Sequence, residues 1–211
     1  MDGSRESFHA PTEILTRGFD PRLSVGSARP AVFRSSTYVF TSPEAAERAF
    51  DLMAGRATPE PGESVALVYS RFNHPNAEIL EEQILPLEPG AASALVFNSG
   101  MSAIHAALAA YLKPGQAVIY TVPIYGGTQT LIQTALAPWG VTGVAVRAGD
   151  AVAMERAIAS TPNLAVVLIE TPANPTLTMT DMRHAGFKRV FVGIETPDAS
   201  TSPVSAMVSH S

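Results

Sequence analysis

The sequence predicts an α/β fold with a mainly parallel sheet and flanking helices. Three observations carry this. From Ala94 onward, short apolar strands alternate with helical stretches, the pattern of right-handed βαβ crossovers. The run Leu164-Ala165-Val166-Val167-Leu168-Ile169 is continuous, apolar and of strand length, which reads as a strand buried on both faces. Each strand ends in polar or glycine- and proline-containing sequence, where open parallel sheets bind ligands.

In chain order, Met1 to about Ala31 mixes Gly, Pro, Ser and charges without periodicity, and reads as an arm, flexible alone but able to order against a partner. Ser42-Pro43-Glu44 supplies a cap, a proline at the first helical position and an acid in the first turn. Ala46, Ala49, Phe50 and Met53 follow at helical spacing and Gly55 stops the helix. Arg56 to Ser64 is a loop, and a second helix follows Asn76 with Ile79, Leu80 and Ile84 on one face. The alternating region then reads strand 94–97, helix 99–112, strand 117–120, helix 128–137, strand 141–146, helix 151–160 and strand 164–169.

Composition narrows the class. With 211 residues, 46% hydrophobic and 16% charged, the chain can bury a substantial core and is globular. A net charge of −5 without a basic block argues against nucleic acid and anionic membrane as partners. No apolar run approaches bilayer length, and Met1-Asp2-Gly3-Ser4-Arg5-Glu6 does not open a signal peptide. The absence of cysteine excludes disulfides and thiolate sites and agrees with a cytoplasmic location.

The strand exits hold the chemistry. Asn98-Ser99-Gly100-Met101 turns into a helix whose first amides are unpaired and sit at the positive end of the dipole, a place for a phosphate; the plain alternative is a Ser N-cap. Pro123-Ile124-Tyr125-Gly126-Gly127-Thr128 presents an aromatic ring on a glycine-flanked loop, as a stacking surface or as a loop anchor. Glu170-Thr171-Pro172-Ala173-Asn174-Pro175 places Glu170 and Asn174 at the fourth exit, with the prolines stiffening it. Val68-Tyr69-Ser70-Arg71 sets a phenol and a guanidinium two apart; in extended backbone both project to one side, as a clamp for an anion or as a surface pair. No GxGxxG follows a strand and no P-loop occurs. His9, His74, His105, His184 and His210 lack ligand spacing, and His105 reads as packing.

Together, Tyr69-Ser70-Arg71, Ser99-Gly100-Met101, Tyr125-Gly126-Gly127-Thr128 and Glu170 to Pro175, in this order and separated by helices, resemble the Cys/Met-metabolism enzymes that use pyridoxal phosphate, such as cystathionine γ-synthase, cystathionine γ-lyase and methionine γ-lyase. The resemblance covers about residues 30 to 181 and implies an incomplete large domain of the aspartate-aminotransferase-like, fold-type I architecture behind an N-terminal arm. It divides the chain into an oligomer-contacting arm and helix (1–65), a partial cofactor-binding domain (66–181) and a divergent tail (182–211). It implies pyridoxal 5′-phosphate as cofactor, with amides of Gly100 and Met101 beside Ser99 on the phosphate. Tyr125 would stack on the ring, with an acid/base role also open to it. Asn174 would bond the phenolic oxygen, Glu170 would support the site from behind, and Tyr69 and Arg71 would reach the phosphate of a neighbouring subunit. The implied chemistry is elimination or replacement at the β or γ carbon of a sulfur-containing or O-acylated amino acid, in a dimer of dimers.

Beyond Asp181 the sequence departs from that pattern. The resemblance calls for a strand ending in Asp-Asn and then for Ser-x-Thr-Lys, whose lysine holds the cofactor covalently; these 211 residues contain only Lys113 and Lys188, in neither context. The expectation is a chain truncated or frameshifted after about residue 181, without a catalytic residue or covalent cofactor of its own. It would be inactive alone, or act as a non-catalytic subunit lending phosphate-binding residues to an intact paralogue. Arg189-Val190-Phe191-Val192-Gly193-Ile194 is expected to add beside the fourth strand, Glu195 to Asp198 to bring a carboxylate toward the ring nitrogen, and Ser200 to Ser211 to be a disordered tail.

Overall fold

The structure is a computed structural model that describes residues 10–88, 91–173, 175–180, 191–194 and 205–210. The chain divides into two compact units, Met1–Val96 and Phe97–Ser211.

In the first unit the arm is ordered in part by the chain itself. It contains α1 (Ala10–Glu13) and a 3-10 turn (Pro21–Ser24). Arg17 Nε donates to Glu82 Oε2 at 3.0 Å. The helix α2 (Pro43–Met53) begins as its sequence dictates: Ser42 Oγ accepts from the Ala45 amide and Pro43 fills the first turn. The loop after Gly55 is closed by a two-pronged contact of Arg48 on Glu63, at 3.0 and 2.6 Å. The helix α3 (Pro75–Ile84) starts before Asn76, with His74 as its cap, because the Asn76 side chain is used elsewhere: it accepts from the Phe33 amide at 2.9 Å and donates to the Ala31 carbonyl at 2.7 Å. The strand β1 (Ala91–Phe97) closes the unit, its Val96 amide donating to the Glu81 carboxylate at 2.9 Å.

The second unit carries the parallel sheet. Its strands are β2 (Ala117–Val122), β3 (Thr142–Arg147) and β4 (Leu164–Leu168), in the order β3-β2-β4 and parallel throughout. The first predicted strand, β1, lies outside this sheet. Alternation along β2 builds two cores. Val118 and Tyr120 face one side with Leu108, Ile124, Ile132 and Leu136, whereas Ile119 faces the other with Val146 and Met154. The helix α4 (Gly100–Tyr111) serves the first core and α6 (Ala151–Ser160) the second, the two-sided cover that a parallel sheet requires.

Three expectations are corrected here. The doubly buried strand is β2, not 164–169: β4 has no fully buried residue, because among the described strands it lies at the edge of the sheet. The helix predicted over 128–137 is a composite of α5 (Gly126–Thr130), a π-helical segment (Leu131–Leu136) and a 3-10 turn (Ala137–Trp139). The wide π turn seats Ile132 against Gly143, where an added Cβ would lie 2.7 Å from Ile132 Cγ2. The third concerns β5 (Phe191–Ile194), which pairs antiparallel with β6 (Ser205–His210), not beside β4. Ala206-Met207-Val208 is an apolar run inside a stretch whose Ser and Thr content suggested disorder, and it gives β5 a ladder partner. Glu195 to Asp198 lie outside the described residues.

Candidate functional site

The second unit brings three strand exits together. At the first, Ser99 is extended and its Oγ accepts from the Ser102 amide at 3.1 Å, while Ser102 Oγ donates to Asn98 Oδ1 at 3.0 Å. Ser99 is thus a true N-cap. The first amide to reach back to a backbone carbonyl is that of Ala103, to Ser99 O at 3.1 Å, so the Gly100 and Met101 amides precede the intrahelical ladder. Both readings of the tetrapeptide are compatible: the hydroxyl holds the turn and two amides remain at the positive end of α4.

At the second exit, Tyr125 opens α5 and is 60% exposed. Gly127 makes that placement possible. A Cβ there would lie 2.6 Å from Tyr125 Cε1 and 3.0 Å from Met101 Sδ, so any side chain would displace the ring. Thr128, buried, directs Oγ1 at Met101 Sδ at 4.0 Å. Met101 and Tyr125, 24 residues apart by number, therefore share one floor.

At the fourth exit, the Glu170 amide donates to Thr121 Oγ1 at 3.0 Å and its carboxylate accepts from the Tyr125 amide at 2.9 Å. The turn beyond it is closed by Ala173 N–H to Thr178 O at 2.9 Å, and Thr180 N–H reaches Thr171 Oγ1 at 3.2 Å. Asn174 lies outside the described residues.

Tyr69 and Arg71 belong to the other unit, and their juxtaposition differs from the expected one. They are not alternate residues of an extended segment. Phe72 and Asn73 amides both donate to the Tyr69 carbonyl, at 2.8 and 3.1 Å, which makes a turn. Asn73 enforces it by accepting from Val68 N–H and donating to Ala66 O, each at 2.9 Å. The Arg71 guanidinium lies over both the Tyr69 and Phe72 rings, at 5.2 and 5.1 Å.

Lys113 follows α4 at the end remote from Gly100. Twelve helical residues separate the two ends, about 18 Å of rise. Lys188 lies outside the described residues. His105 is exposed, not packed, because its α4 face points away from the sheet. Among the described residues no group of His, Asp and Glu forms a metal cage, and no helix is long and apolar enough to cross a membrane. Thr121, fully buried one residue before the end of β2, escaped the sequence reading; its signal was a threonine hydroxyl in a mostly apolar strand.

A profile described as the Cys/Met metabolism PLP-dependent enzyme family matches residues 11–188. The chain belongs to this family. Relatives include an L-methionine gamma-lyase of Pseudomonas putida, 31% identical over 182 residues, covering 86% of this chain and 42% of the relative. A cystathionine gamma-synthase of Mycobacterium tuberculosis is 30% identical over 171 residues, covering 81% and 39%. Among solved structures, metB from Corynebacterium glutamicum matches with a TM-score of 0.69 at 26% identity, over 85% of this chain and 41% of that one. A putative O-acetylhomoserine (thiol)-lyase (metY) from Campylobacter jejuni matches with a TM-score of 0.71 at 26% identity, over 83% and 40%, and carries N′-pyridoxyl-lysine-5′-monophosphate at its position 205. The Cys/Met-metabolism chain described here spans 42% or less of the length of these relatives. Its fold is a partial fold-type I α/β domain, and the cofactor of its family is pyridoxal 5′-phosphate.

The described residues fit that cofactor in part. Two amides ahead of the helical ladder suit a phosphate, and an exposed Tyr125 face held by Gly127 suits an aromatic ring. A lysine at the site is not among them.

Proposed function

We propose that this chain binds pyridoxal 5′-phosphate without a covalent bond, in a site that its family uses for elimination or replacement at the β or γ carbon of sulfur-containing or O-acylated amino acids. The observation that carries the reading is the common floor of Met101 and Tyr125 beside the open amides of α4. Gly100 and Met101 amides bind the phosphate, with Ser99 holding their turn. Tyr125 stacks on the ring, Asn174 orients its phenolic oxygen, and Glu170 acts from behind. When bound, the cofactor supplies an electron sink for carbanion chemistry.

In this reading Tyr69 and Arg71 serve the phosphate of a neighbouring copy, in a cytoplasmic homo-oligomer built as a dimer of dimers. A second reading is favoured by the exposure of Arg71 and its seat on two rings. There the chain is a non-catalytic subunit that lends this pair to an intact paralogue.

Equilibrium dialysis of the full chain against pyridoxal phosphate, followed by borohydride reduction and mass spectrometry, tests the proposal. Reversible, saturable binding with no pyridoxyl adduct is expected. No binding, or a pyridoxyl group on Lys188, overturns it.

A further inference from the structure

The helix α5 opens on Tyr125 without a side-chain cap of its own. Its cap comes from elsewhere: the Glu170 carboxylate accepts from the Tyr125 amide at 2.9 Å across 45 residues of sequence. A carboxylate at a helix start satisfies an orphan donor and complements the dipole, so this contact fixes the backbone from which the Tyr125 ring springs.

Glu170 is itself anchored. Its amide donates to Thr121 Oγ1 at 3.0 Å, and Thr121 is 0% exposed in the centre strand. The second and fourth exits are therefore tied in both directions. Thr121 of β2 holds the backbone of Glu170, and Glu170 returns its side chain to the loop that follows β2. On the far side of the ring, Gly127 leaves no room for a side chain that would push it away.

We propose that Glu170 is a positioning residue for Tyr125: it acts through the Tyr125 amide to set the aromatic face, and does not touch the cofactor. The inference rests on the reading of Tyr125 as the stacking surface for pyridoxal phosphate. It also has content without it, because the latch is made entirely of this chain's own residues.

The test compares the full wild-type chain with Glu170→Gln, which keeps a carbonyl acceptor, and Glu170→Ala, which removes it. Glu170→Leu, which keeps the bulk, stands in should the alanine variant not fold. Hydrogen exchange of the Tyr125 amide is read first. Loss of a charge-assisted bond should speed exchange about tenfold or more in the Ala or Leu variant, with Gln close to wild type and β2 amides unchanged. A Tyr125 amide that exchanges at the wild-type rate in those variants overturns the proposal.

The second readout is pyridoxal phosphate affinity, with the induced circular dichroism of its absorption band, in Glu170→Ala, Tyr125→Ala and the double variant. If Glu170 acts only through Tyr125, the double variant binds no more weakly than Tyr125→Ala, and Gln restores the dichroic signal. Additive losses overturn the positioning role and place Glu170 in contact with the cofactor. Should the wild-type chain bind no pyridoxal phosphate, the functional reading fails while the exchange comparison still decides the latch.

Discussion

Gln133 Nε2 donates to the phenolic oxygen of Tyr120 at 2.8 Å, and that phenol belongs to one of the most deeply buried side chains of the molecule, 2% exposed. The bond links the π-helical segment to the centre strand that leads to Tyr125. Gln133→Leu leaves the phenol buried without this donor and should cost about 1–3 kcal/mol in urea unfolding of the full chain. Adding Tyr120→Phe to that variant should recover part of the loss, since no orphaned hydroxyl then remains.

Gly143 is the neighbouring test of the same packing. A Cβ there meets Ile132 Cγ2 at 2.7 Å and Tyr120 Cε1 at 3.2 Å. Gly143→Ala should destabilise by about 1–3 kcal/mol through overpacking, and Gly143→Ala with Ile132→Val by less, in the same unfolding assay.

Gly127 concerns function more than stability. Its substitution by Ala drives a methyl group into Tyr125 Cε1 at 2.6 Å, on a residue that is 60% exposed and outside the buried core. Unfolding should shift little, whereas dialysis should show pyridoxal phosphate binding weakened about tenfold, a loss near 1.4 kcal/mol. Equal binding by the variant would remove Tyr125 from the site.

A pH prediction follows from the loop of the first unit. The Arg48 guanidinium, and then the Glu60 amide, hold the Glu63 carboxyl below its ordinary value of 4.5. A depressed acid stabilises the fold above its unfolded value and loses that contribution as pH falls through the folded one. Glu63→Gln should therefore be less stable than wild type at pH 7, with the two denaturation midpoints converging as pH drops below 4.5 toward the folded value. The pair is only half-buried, so the gap should also narrow with added salt.

These residues show what was legible in the sequence. Ser42-Pro43-Glu44 and Ser99 were readable as helix starts because their chemistry is local, and β2 to β4 because each carries a short valine-containing apolar run of strand length. The π-helical segment was not, since it depends on Gly143 and the Tyr120 phenol, which only the fold brings near. Tyr69 and Arg71 read as alternate residues of an extended segment, whereas the structure puts them in a turn. The turn is imposed by the Asn73 side chain, and alternation carries no trace of it. Glu170 stood out as a strand exit, yet its bond to Tyr125 joins residues 45 apart and has no local signal.

The central claim is that cofactor phosphate meets the start of α4 beside Tyr125. Amide chemical-shift mapping of the isotopically labelled full chain during titration with pyridoxal phosphate tests it most directly. The account predicts that the largest saturable shifts fall on Gly100, Met101 and Tyr125, and that inorganic phosphate moves the first two alone. Saturable binding that leaves Gly100 and Met101 unmoved would contradict it.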